Sequence, residues 1–470
     1  MIDLKNLTIE KAHEALMKGE YTSRELTQAY LDLIATKNAD LNAYIEIFTD
    51  ALAQADAADK RIKAGSATVL TGIPFAMKDN ILIDGRGVSA ASNILRNYTA
   101  VYDSTVGKIL KEQGVVFIGR TNMDDAAMGS STETSAYGPT KNPYDTTRVP
   151  GGSSGGTAAA VAADLALVGL GSETCGSVRE PAAFCGLVGM KPTYGAVSRH
   201  GLIAMGNSLD QIAPMGKTVR DTEIIFDAIS RHDPEDSTSV PESMRTREQR
   251  EVKKIGIPWH LFEKGVDGEV LENFKGSVEK FKNAGYEIVD IELPHAEYAL
   301  PVYYIIMPAE VSTNLSRLDG IRYGYSAKGD TLMDVYKKSR GEGFGKEVRR
   351  RILLGTYILS HGYYDAYYNK AVAVRGMIER EIRKAFESVD LIMTPTVATP
   401  AFKLGEKMND PVAMYLCDIF SAPANITGVP SIALPSGMNS IGLPLSIQFM
   451  APHFREDALF QIGKKFETLV

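Results

Sequence analysis

Apolar residues recur at helical spacing near the start of the chain. Thr22 and Glu25 stand three positions apart, as in the capping box that begins many helices. Leu26 and Tyr30 then continue on one helical face. This pattern predicts that residues 1–65 are a helical segment lying against the main body of the protein.

Strand-like and helix-like patterns alternate along most of the chain. The amphipathic run TVGKILKEQG precedes the apolar run VVFIG, and further strand patterns are KIGIPW, YEIVDIEL, LIMTPT, SIALP and LSIQFMAP. Such alternation is typical of a sheet covered by helices. We therefore predict an α/β fold in which residues 1–470 form a single large domain, with a mixed β-sheet core covered by helices on both faces. The hydrophilic residues 231–254 are predicted to form an exposed excursion from it.

The composition is that of an ordinary globular protein. Charged residues make up 23% of the 470 positions, and the net charge is −7. A protein that binds nucleic acid directly is usually basic, so direct contact with RNA or DNA is not expected. The three cysteines are too few for a disulfide framework and indicate a reducing compartment.

The sequence also bears on membrane association. No apolar run reaches the roughly 18 residues that a membrane-spanning helix needs. The first residues lack the pattern of a secretory signal peptide. We therefore expect a cytoplasmic protein without a membrane partner.

Two turns rich in small residues and hydroxyls lie within residues 150–193. The first, residues 151–156, contains Ser153 between glycines, and the second, residues 173–177, ends in Ser177. The elements predicted between them are a helix over 157–167 and a strand over 165–170. A glycine-rich turn that enters a helix presents unpaired N–H groups suited to a negative charge. The order turn, helix, strand, turn can bring the two serines close together.

Lys78 is the only cation in the apolar run LTGIPFAMKDNILI. One interpretation is a strand-end lysine whose ammonium group reaches water. The other is a buried lysine that is partly neutral and able to act as a base. The sequence leaves both interpretations open.

Other catalytic motifs fit the chain less well. The run GGSSG matches the Gly-x-Ser-x-Gly nucleophile elbow of α/β-hydrolases, but that elbow must follow a strand directly, whereas the run before it has turn chemistry. A phosphate-binding loop would need a glycine in the place of Gln211. The seven histidines show no metal-binding spacing. No cofactor or metal site is therefore expected in this chain.

The runs GIPFAMKDN, GGSSGG and GSETCGSVREPAAFCGLVGMKP together resemble the amidase signature family. Ser177 lies 24 positions after Ser153, the separation of the two serines in that family. The resemblance implies a catalytic triad in which Ser177 is the nucleophile, Ser153 follows a cis peptide bond and relays a proton, and Lys78 is the base. It also implies an oxyanion hole formed by the backbone N–H groups of Thr174, Cys175, Gly176 and Ser177.

Later runs extend the resemblance over almost the whole chain. NLSRLDGIRYGY, EVRRRILLGTYILSHGYYDAYY and YLCDIFSAPANITGVPSIALP are similar to the glutaminase subunits, designated A, of tRNA-dependent Glu-tRNA(Gln)/Asp-tRNA(Asn) amidotransferases. This resemblance implies a protein that hydrolyses glutamine and passes ammonia to a B subunit, which uses ATP and Mg²⁺ to amidate mischarged tRNA. B and C subunits are the implied protein partners. The resemblance also implies that Arg351 binds the α-carboxylate of glutamine and that Asp418 binds its α-ammonium group.

Three residues depart from the family pattern. Glu173, Cys175 and Glu180 stand where aspartate, glycine and glutamine are expected. Glu173 is expected to pair with Arg179 behind the site, and Cys175 adds a Cβ beside the oxyanion hole. Two alternatives therefore stay open beside the glutaminase. One is a stand-alone amidase for another small primary amide, and the other is a family member that acts as a scaffold without catalysis.

Overall fold

The computed structural model of the protein describes residues 2–245, 250–262 and 265–470. Residues 246–249 of the predicted excursion lie outside the described residues. The described part of that excursion is not wholly exposed, because Asp233 and Asp236 are buried. Asp233 accepts a hydrogen bond from Ser198 Oγ, and Asp236 accepts one from the Arg199 N–H group. Buried carboxylates need such donors, and these donors hold the stretch against the protein.

Eleven β-strands form one sheet within the described ranges. The strands are β1 Tyr44–Ile47, β2 Pro74–Lys78, β3 Val116–Thr121, β4 Val168–Glu173, β5 Val188–Lys191, β6 Gln211–Gly216, β7 Lys254–Ile257, β8 Glu287–Asp290, β9 Leu391–Pro395, β10 Ser431–Met438 and β11 Pro444–Met450. Their order across the sheet is β1-β3-β2-β4-β6-β5-β10-β11-β9-β7-β8. Parallel and antiparallel neighbours both occur, so the predicted mixed sheet is confirmed.

Helices pack against this sheet. They are α1 Ile9–Lys18, α2 Ser23–Leu41, α3 Ala51–Lys63, α4 Thr105–Gln113, α5 Gly155–Ala162, α6 Arg179–Phe184, α7 Val219–Ile229, α8 Gly268–Asn283, α9 Ala299–Asn314, α10 Leu332–Gly343, α11 Lys346–Ile358, α12 Lys370–Ala385, α13 Pro411–Tyr415, α14 Ala422–Thr427 and α15 Glu456–Glu467. For example, α5 packs on β2 and β4, α7 on β6, and α8 on β11. None of the helices in the described ranges has both the length and the apolar character needed to cross a membrane.

The strands nearest the predicted site are buried along their whole length. Every residue of β2, β4 and β6 is inaccessible to solvent or nearly so. This explains why the sequences of these strands are continuous runs of apolar and small residues and do not alternate between apolar and polar. Because β2 and β4 are parallel neighbours, their carboxyl ends meet at the same edge of the sheet. Lys78 ends β2 and Glu173 ends β4, so the two predicted site segments are adjacent.

The N-terminal segment contains a strand as well as helices. Helix α2 begins with the predicted capping box, in which the Glu25 carboxylate accepts a hydrogen bond from the Thr22 N–H group at 2.7 Å. Strand β1 pairs antiparallel with β3, with Tyr44 opposite Thr121. The prediction of a purely helical segment missed β1. Four residues are too few for a hydrophobic period to be read, and the strand depends on its partner.

Helix α5 and strand β4 lie at shifted positions relative to the sequence prediction. The helix begins at Gly155 and ends at Ala162, instead of covering 157–167. The strand begins at Val168 rather than at residue 165. Asp164 has a φ of +64°, a left-handed conformation that ends the helix and redirects the chain into β4. Aspartate is one of the few residue types that adopt this conformation, so Asp164 was the local signal for the turn within an otherwise apolar run.

Helices α9 and α11 approach each other closely at Gly355. A Cβ atom on Gly355 would lie 1.8 Å from the Pro308 carbonyl oxygen of α9. Gly355 is four residues after Arg351 on α11, so both residues belong to the same helical face. The missing side chain therefore allows α11 to present Arg351 at its observed position.

We expect Gly355→Ala to lower the free energy of unfolding by about 1–3 kcal/mol, because the added methyl group forces two packed helices apart. Gly341→Ala is the matched control on α10, since no atom lies within 4 Å of its Cβ position. This control should be neutral or stabilising by up to about 1 kcal/mol, as alanine favours helix more than glycine. Urea denaturation measures both values. Equal stability of the two variants would contradict the tight contact.

Candidate active site

Lys78 lies at the end of β2 with no exposed surface. Its Nζ atom contacts Ser153 Oγ at 2.8 Å, Ser154 Oγ at 2.7 Å and the Ser172 carbonyl oxygen at 3.0 Å. The structure therefore decides between the two interpretations of this lysine. Its amine points into the protein and touches the first glycine turn, and it does not reach water.

The surroundings of Lys78 favour its neutral form. Burial lowers the pKa of Lys78 from 10.5 to about 7, against the opposing effect of the negative charges of Asp124, Asp210 and Glu173. Within the described ranges, no carboxylate forms a salt bridge with the amine. An ammonium group without hydration or a contacting counter-ion loses its proton readily. At neutral pH the amine can therefore accept a proton from Ser153.

The two serine turns meet in space. The Gly152–Ser153 peptide bond is cis, as the family resemblance implies. The Ser154 N–H group donates to the Ser177 carbonyl oxygen at 3.1 Å, which joins the first turn to the second. In the described parts of the chain, however, no hydrogen bond connects the hydroxyl groups of Ser153 and Ser177. The structure thus contains the Lys78–Ser153 contact of the predicted triad and places Ser177 on the adjoining turn.

The turn that carries Ser177 has unpaired backbone donors. Among the described residues, the N–H groups of Cys175, Gly176 and Ser177 have no hydrogen-bond acceptor. Gly176 has a φ of +87°, and a Cβ atom there would lie 2.5 Å from Ser421 Oγ. Thr174 contributes a side-chain contact to this turn, with Oγ1 3.0 Å from Tyr303 Oη. Unpaired N–H groups on one turn can stabilise a developing oxyanion.

A buried ion pair supports this turn from behind. Glu173 Oε1 accepts hydrogen bonds from Arg179 Nε at 2.9 Å and Nη2 at 2.5 Å. Glu173 Oε2 accepts from the N–H groups of Val178 and Arg179, which begin α6. Burial raises the pKa of Glu173, but the charge and hydrogen bonds of Arg179 outweigh that effect and hold the pKa below its usual value. The extra methylene of Glu173 therefore still allows a fully satisfied pair with Arg179.

Cys175 belongs to the apolar core beside the turn. Its side chain is buried in a cluster with Met205, Leu209 and Tyr303. Burial raises the pKa of the Cys175 thiol well above its usual value. The thiol therefore stays protonated at neutral pH, and a protonated thiol is a poor nucleophile.

Arg351 lies on α11 and is buried. Its Nε atom donates to Glu347 Oε1 at 2.8 Å, and its guanidinium carbon is 5.4 Å from the ring centroids of both Tyr304 and Tyr415. Nη1 contacts only the Met307 sulfur, at 3.8 Å, and the described residues offer no oxygen acceptor to Nη1 or Nη2. The guanidinium is thus fixed in orientation, with its terminal nitrogens free to bind a carboxylate.

Asp418 is also buried and only partly satisfied. Its Oδ2 atom accepts hydrogen bonds from Tyr304 Oη at 3.2 Å and from Ser130 Oγ at 3.3 Å. Its Oδ1 atom has no partner among the described residues. Burial raises the pKa of Asp418 from 3.8 to about 7, although the charge of Arg351 opposes this shift. A buried carboxyl group with a free oxygen is suited to binding a cation.

A cavity of about 260 Å³ adjoins Arg351. Polar residues in its wall include Asp125, Glu133, Glu347, Arg351, Lys407 and Tyr415. Its volume lies just below the roughly 300–1,000 Å³ of sites that hold drug-sized ligands. A ligand of the size of an amino acid fits such a space.

Several contacting residues were missed by sequence reasoning. Ser154 touches the amine of the buried lysine, and its place beside Ser153 in the turn was an available signal. Glu347 precedes Arg351 by four residues on one helix, a spacing that predicts a contact. Tyr304 reaches Asp418 from 114 positions away, and no local pattern could have indicated that.

The amidase family profile, described simply as Amidase, matches residues 25–460. The chain therefore belongs to the amidase family and is an enzyme with amidase chemistry. The resemblance seen in the glycine turns and in GIPFAMKDN is thereby confirmed.

Individual relatives narrow the comparison. The chain is 49% identical to the A subunit of glutamyl-tRNA(Gln) amidotransferase from Thermoanaerobacter pseudethanolicus, over 99% of this chain and 97% of the relative. The crystal structure of the corresponding A subunit from Thermotoga maritima matches with a TM-score of 0.80 at 39% identity, over 98% of this chain and 94% of that one. The peptide amidase of Stenotrophomonas maltophilia matches with a TM-score of 0.81 at 27% identity, over 99% and 97% of the two chains. Amidotransferase A subunits and a peptide amidase therefore share this fold.

The rate at saturating substrate, kcat, is expected to rise with pH and to level off above a pH of about 7, the pKa of Lys78. The amine is a base only after it loses its proton, so the active fraction falls about tenfold for each pH unit below that pKa. A steady-state pH profile measures this, with circular dichroism at each pH to verify that the chain is folded. A kcat that stays constant between about pH 6 and 8 would rule out a base of this pKa.

Cys175→Ala is expected to keep the amidase rate within about threefold, because the thiol is protonated and lies in the apolar core. Ser177→Ala is the comparison variant and should lower the rate by about 10³-fold or more. Initial rates of ammonia release distinguish the two variants. If Cys175→Ala loses as much activity as Ser177→Ala, the assignment of a serine nucleophile is wrong.

Proposed function

We propose that the chain is the glutamine-hydrolysing subunit of a tRNA-dependent amidotransferase. It supplies ammonia to convert Glu-tRNA(Gln) to Gln-tRNA(Gln), Asp-tRNA(Asn) to Asn-tRNA(Asn), or both. The observation that carries the proposal is the presence of buried Arg351 and buried Asp418, each with free hydrogen-bonding atoms, beside amidase machinery. Glutamine has an α-carboxylate and an α-ammonium group to match these two charges. A simple amide has neither.

The reaction begins with proton transfer at the buried lysine. Neutral Lys78 takes a proton from Ser153, which takes one from Ser177, and Ser177 Oγ attacks the side-chain amide carbon of glutamine. The unpaired N–H groups of the second turn stabilise the oxyanion. The reversed relay protonates the nitrogen, ammonia leaves, and water then hydrolyses the acyl group on Ser177 to release glutamate.

This relay needs a hydrogen bond between Ser177 and Ser153 in the substrate complex. The backbone hydrogen bond from Ser154 to Ser177 already joins the two turns, so the proposal requires the Ser177 hydroxyl group to turn toward Ser153 when substrate binds. Catalytic hydrogen bonds often shorten to their working length only when substrate is bound.

Substrate recognition rests on opposite charges placed on separate elements. The planar fork of Arg351 can bind both oxygens of the α-carboxylate. The rings of Tyr304 and Tyr415 stack on each other, and the guanidinium carbon lies 5.4 Å from both ring centroids, so this aromatic pair supports the fork from one side. Asp418 Oδ1 is free to accept a hydrogen bond from the α-ammonium group. Asp418 Oδ1 also lies 3.1 Å from where a Cβ on Gly176 would be, so the ammonium site adjoins the catalytic turn.

In this proposal the partners of the chain are the B and C subunits. Mischarged tRNA, ATP and Mg²⁺ are bound by the B subunit, and this chain itself has no cofactor. The net charge of −7 agrees with a protein that does not bind tRNA directly. We place the complex in the cytoplasm, and the three free cysteines agree with a reducing compartment.

Each of the two alternative functions leaves some residues of the site without a role. A stand-alone amidase is favoured by the likeness to the peptide amidase, but it gives no role to the Arg351 and Asp418 charges. A scaffold without catalysis does not require the contact between Lys78 and Ser153 or the satisfied pair behind the second turn.

Arg351→Lys and Asp418→Asn are each expected to lower kcat/KM for glutamine by roughly 30-fold or more, because one charged end of glutamine loses its partner. Transamidation with free ammonia by the assembled complex should change by less than about twofold, since ammonia bypasses the glutamine pocket. Both rates are measured on the complex with B and C subunits.

Ser177→Ala serves as the control, because it should abolish the use of glutamine while ammonia-dependent transamidation continues. Wild-type preference for simple amides over glutamine would favour the stand-alone amidase. Full glutamine activity in both charge variants would also contradict the proposal, whereas a wild type that hydrolyses no amide would favour the scaffold.

A further inference from the structure

Glu180 is a buried carboxyl group without a hydrogen-bond partner. Its residue lies in the first turn of α6 and is 1% exposed. Neither of its carboxyl oxygens has a partner in the parts of the chain that the structure describes. Burying such a group costs free energy unless a donor or a cation satisfies it. The family resemblance implies glutamine at this position, so the carboxyl group is a departure from the family pattern.

Helix α6, which carries Glu180, packs near the segment that carries Asp418. Phe184 follows four residues later on the same face of α6. Its ring packs against that of Phe402, with centroids 6.1 Å apart, in a cluster that also contains Cys417. The face of α6 that bears Glu180 therefore packs on the chain next to Asp418.

Glu180 and Asp418 both border Gly176. The Glu180 N–H group donates to the Gly176 carbonyl oxygen at 2.8 Å. Asp418 Oδ1 lies 3.1 Å from the position that a Cβ on Gly176 would occupy. Oδ1 of Asp418 and both Glu180 oxygens are without partners among the described residues. Three carboxyl oxygens without partners thus belong to the two residues that adjoin Gly176, the residue before Ser177.

The electrostatics of this arrangement favour a bound cation. Burial raises the pKa of Glu180 well above its usual value, and the negative charge of Asp418 raises it further. Two neighbouring carboxylates repel each other, and a positive charge between them removes that repulsion. An alkylammonium group brings one positive charge and three N–H donors.

We propose that Glu180 is a specificity-determining residue that binds the α-ammonium group of glutamine together with Asp418. The inference rests on the proposed function, because it adds a second carboxyl group to the same glutamine pocket. With Glu180 present, this chain prefers a substrate with a charged α-amine more strongly than it would with Asp418 alone.

Lys407 is a competing partner for Glu180. Its charge acts on Glu180 in the stabilising direction, lowering the pKa of that carboxyl group. Its Nζ atom, however, lies 3.2 Å from Cys417 Sγ and 4.2 Å from the Phe402 ring centroid, and it forms no hydrogen bond with Glu180. A test of Glu180 must therefore separate an ammonium ligand from a partner of Lys407.

The test compares glutamine with 4-carbamoylbutanoate, which is glutamine without its α-ammonium group. Glu180→Gln keeps the size of the side chain but cannot ionise, so it cannot form an ion pair with the ammonium group. It should lower kcat/KM for glutamine by about tenfold, mainly through KM, and change kcat/KM for 4-carbamoylbutanoate by less than about twofold. Glu406→Gln is the matched control, because it removes an exposed carboxylate close to Lys407 and should alter neither value. Glu180→Asp keeps the charge and should retain part of the preference for glutamine.

Three results would overturn the inference. In the first, Glu180→Gln keeps the wild-type preference for glutamine. In the second, Glu180→Gln lowers kcat/KM equally for both substrates, which means that Glu180 only supports the turn. In the third, Lys407→Met shows the same selective loss, which means that Glu180 serves Lys407. If wild type itself shows no preference for glutamine over 4-carbamoylbutanoate, the proposed function fails. A wild-type preference that survives in Glu180→Gln contradicts this inference alone.

Discussion

Burying an amine without a contacting carboxylate lowers its pKa, and the architecture around Lys78 creates this condition. Strand β2 is buried along its whole length and ends at Lys78, so the amine cannot reach water. The hydroxyl groups of Ser153 and Ser154 and a carbonyl oxygen take the place of water around it. The lowered pKa of this candidate base thus follows from the position of a strand in the sheet.

The charged groups around the site divide into satisfied and unsatisfied ones. Glu173 and Arg179 satisfy each other in the interior, and their hydrogen bonds hold the start of α6 behind the catalytic turn. Arg351 and Asp418 keep atoms free although they are buried. Leaving buried polar atoms unpaired is costly, and in the proposed function the substrate satisfies these atoms of Arg351 and Asp418.

The departures from the family pattern differ in their consequences. Glu173 replaces a shorter residue, yet it forms a complete set of hydrogen bonds with Arg179 and with the start of α6. Cys175 keeps its backbone N–H group free while its side chain joins the apolar core. Only Glu180 leaves an unsatisfied carboxyl group in the interior, since neither of its oxygens has a partner among the described residues.

Local sequence patterns determined the class of fold and predicted the candidate catalytic segments. Alternating apolar runs predicted the α/β fold, and Lys78, Ser153 and Ser177 lie in short runs that can be compared with a family without knowing the structure. Arg351 and Asp418 came from the longer resemblance, because nothing in their own helix or turn distinguishes a ligand from a solvated charge.

Tertiary structure alone decided the environment of these residues. Whether Lys78 is charged depends on β2 lying between β3 and β4, and the access of Asp418 to Tyr304 depends on two segments far apart in sequence. Strand β1 likewise exists because β3 offers it an edge to pair with. Burial and hydrogen bonding between distant segments set the pKa values of the site and decide which of its donors and acceptors stay unpaired. A pattern of spacing along one chain does not contain that information.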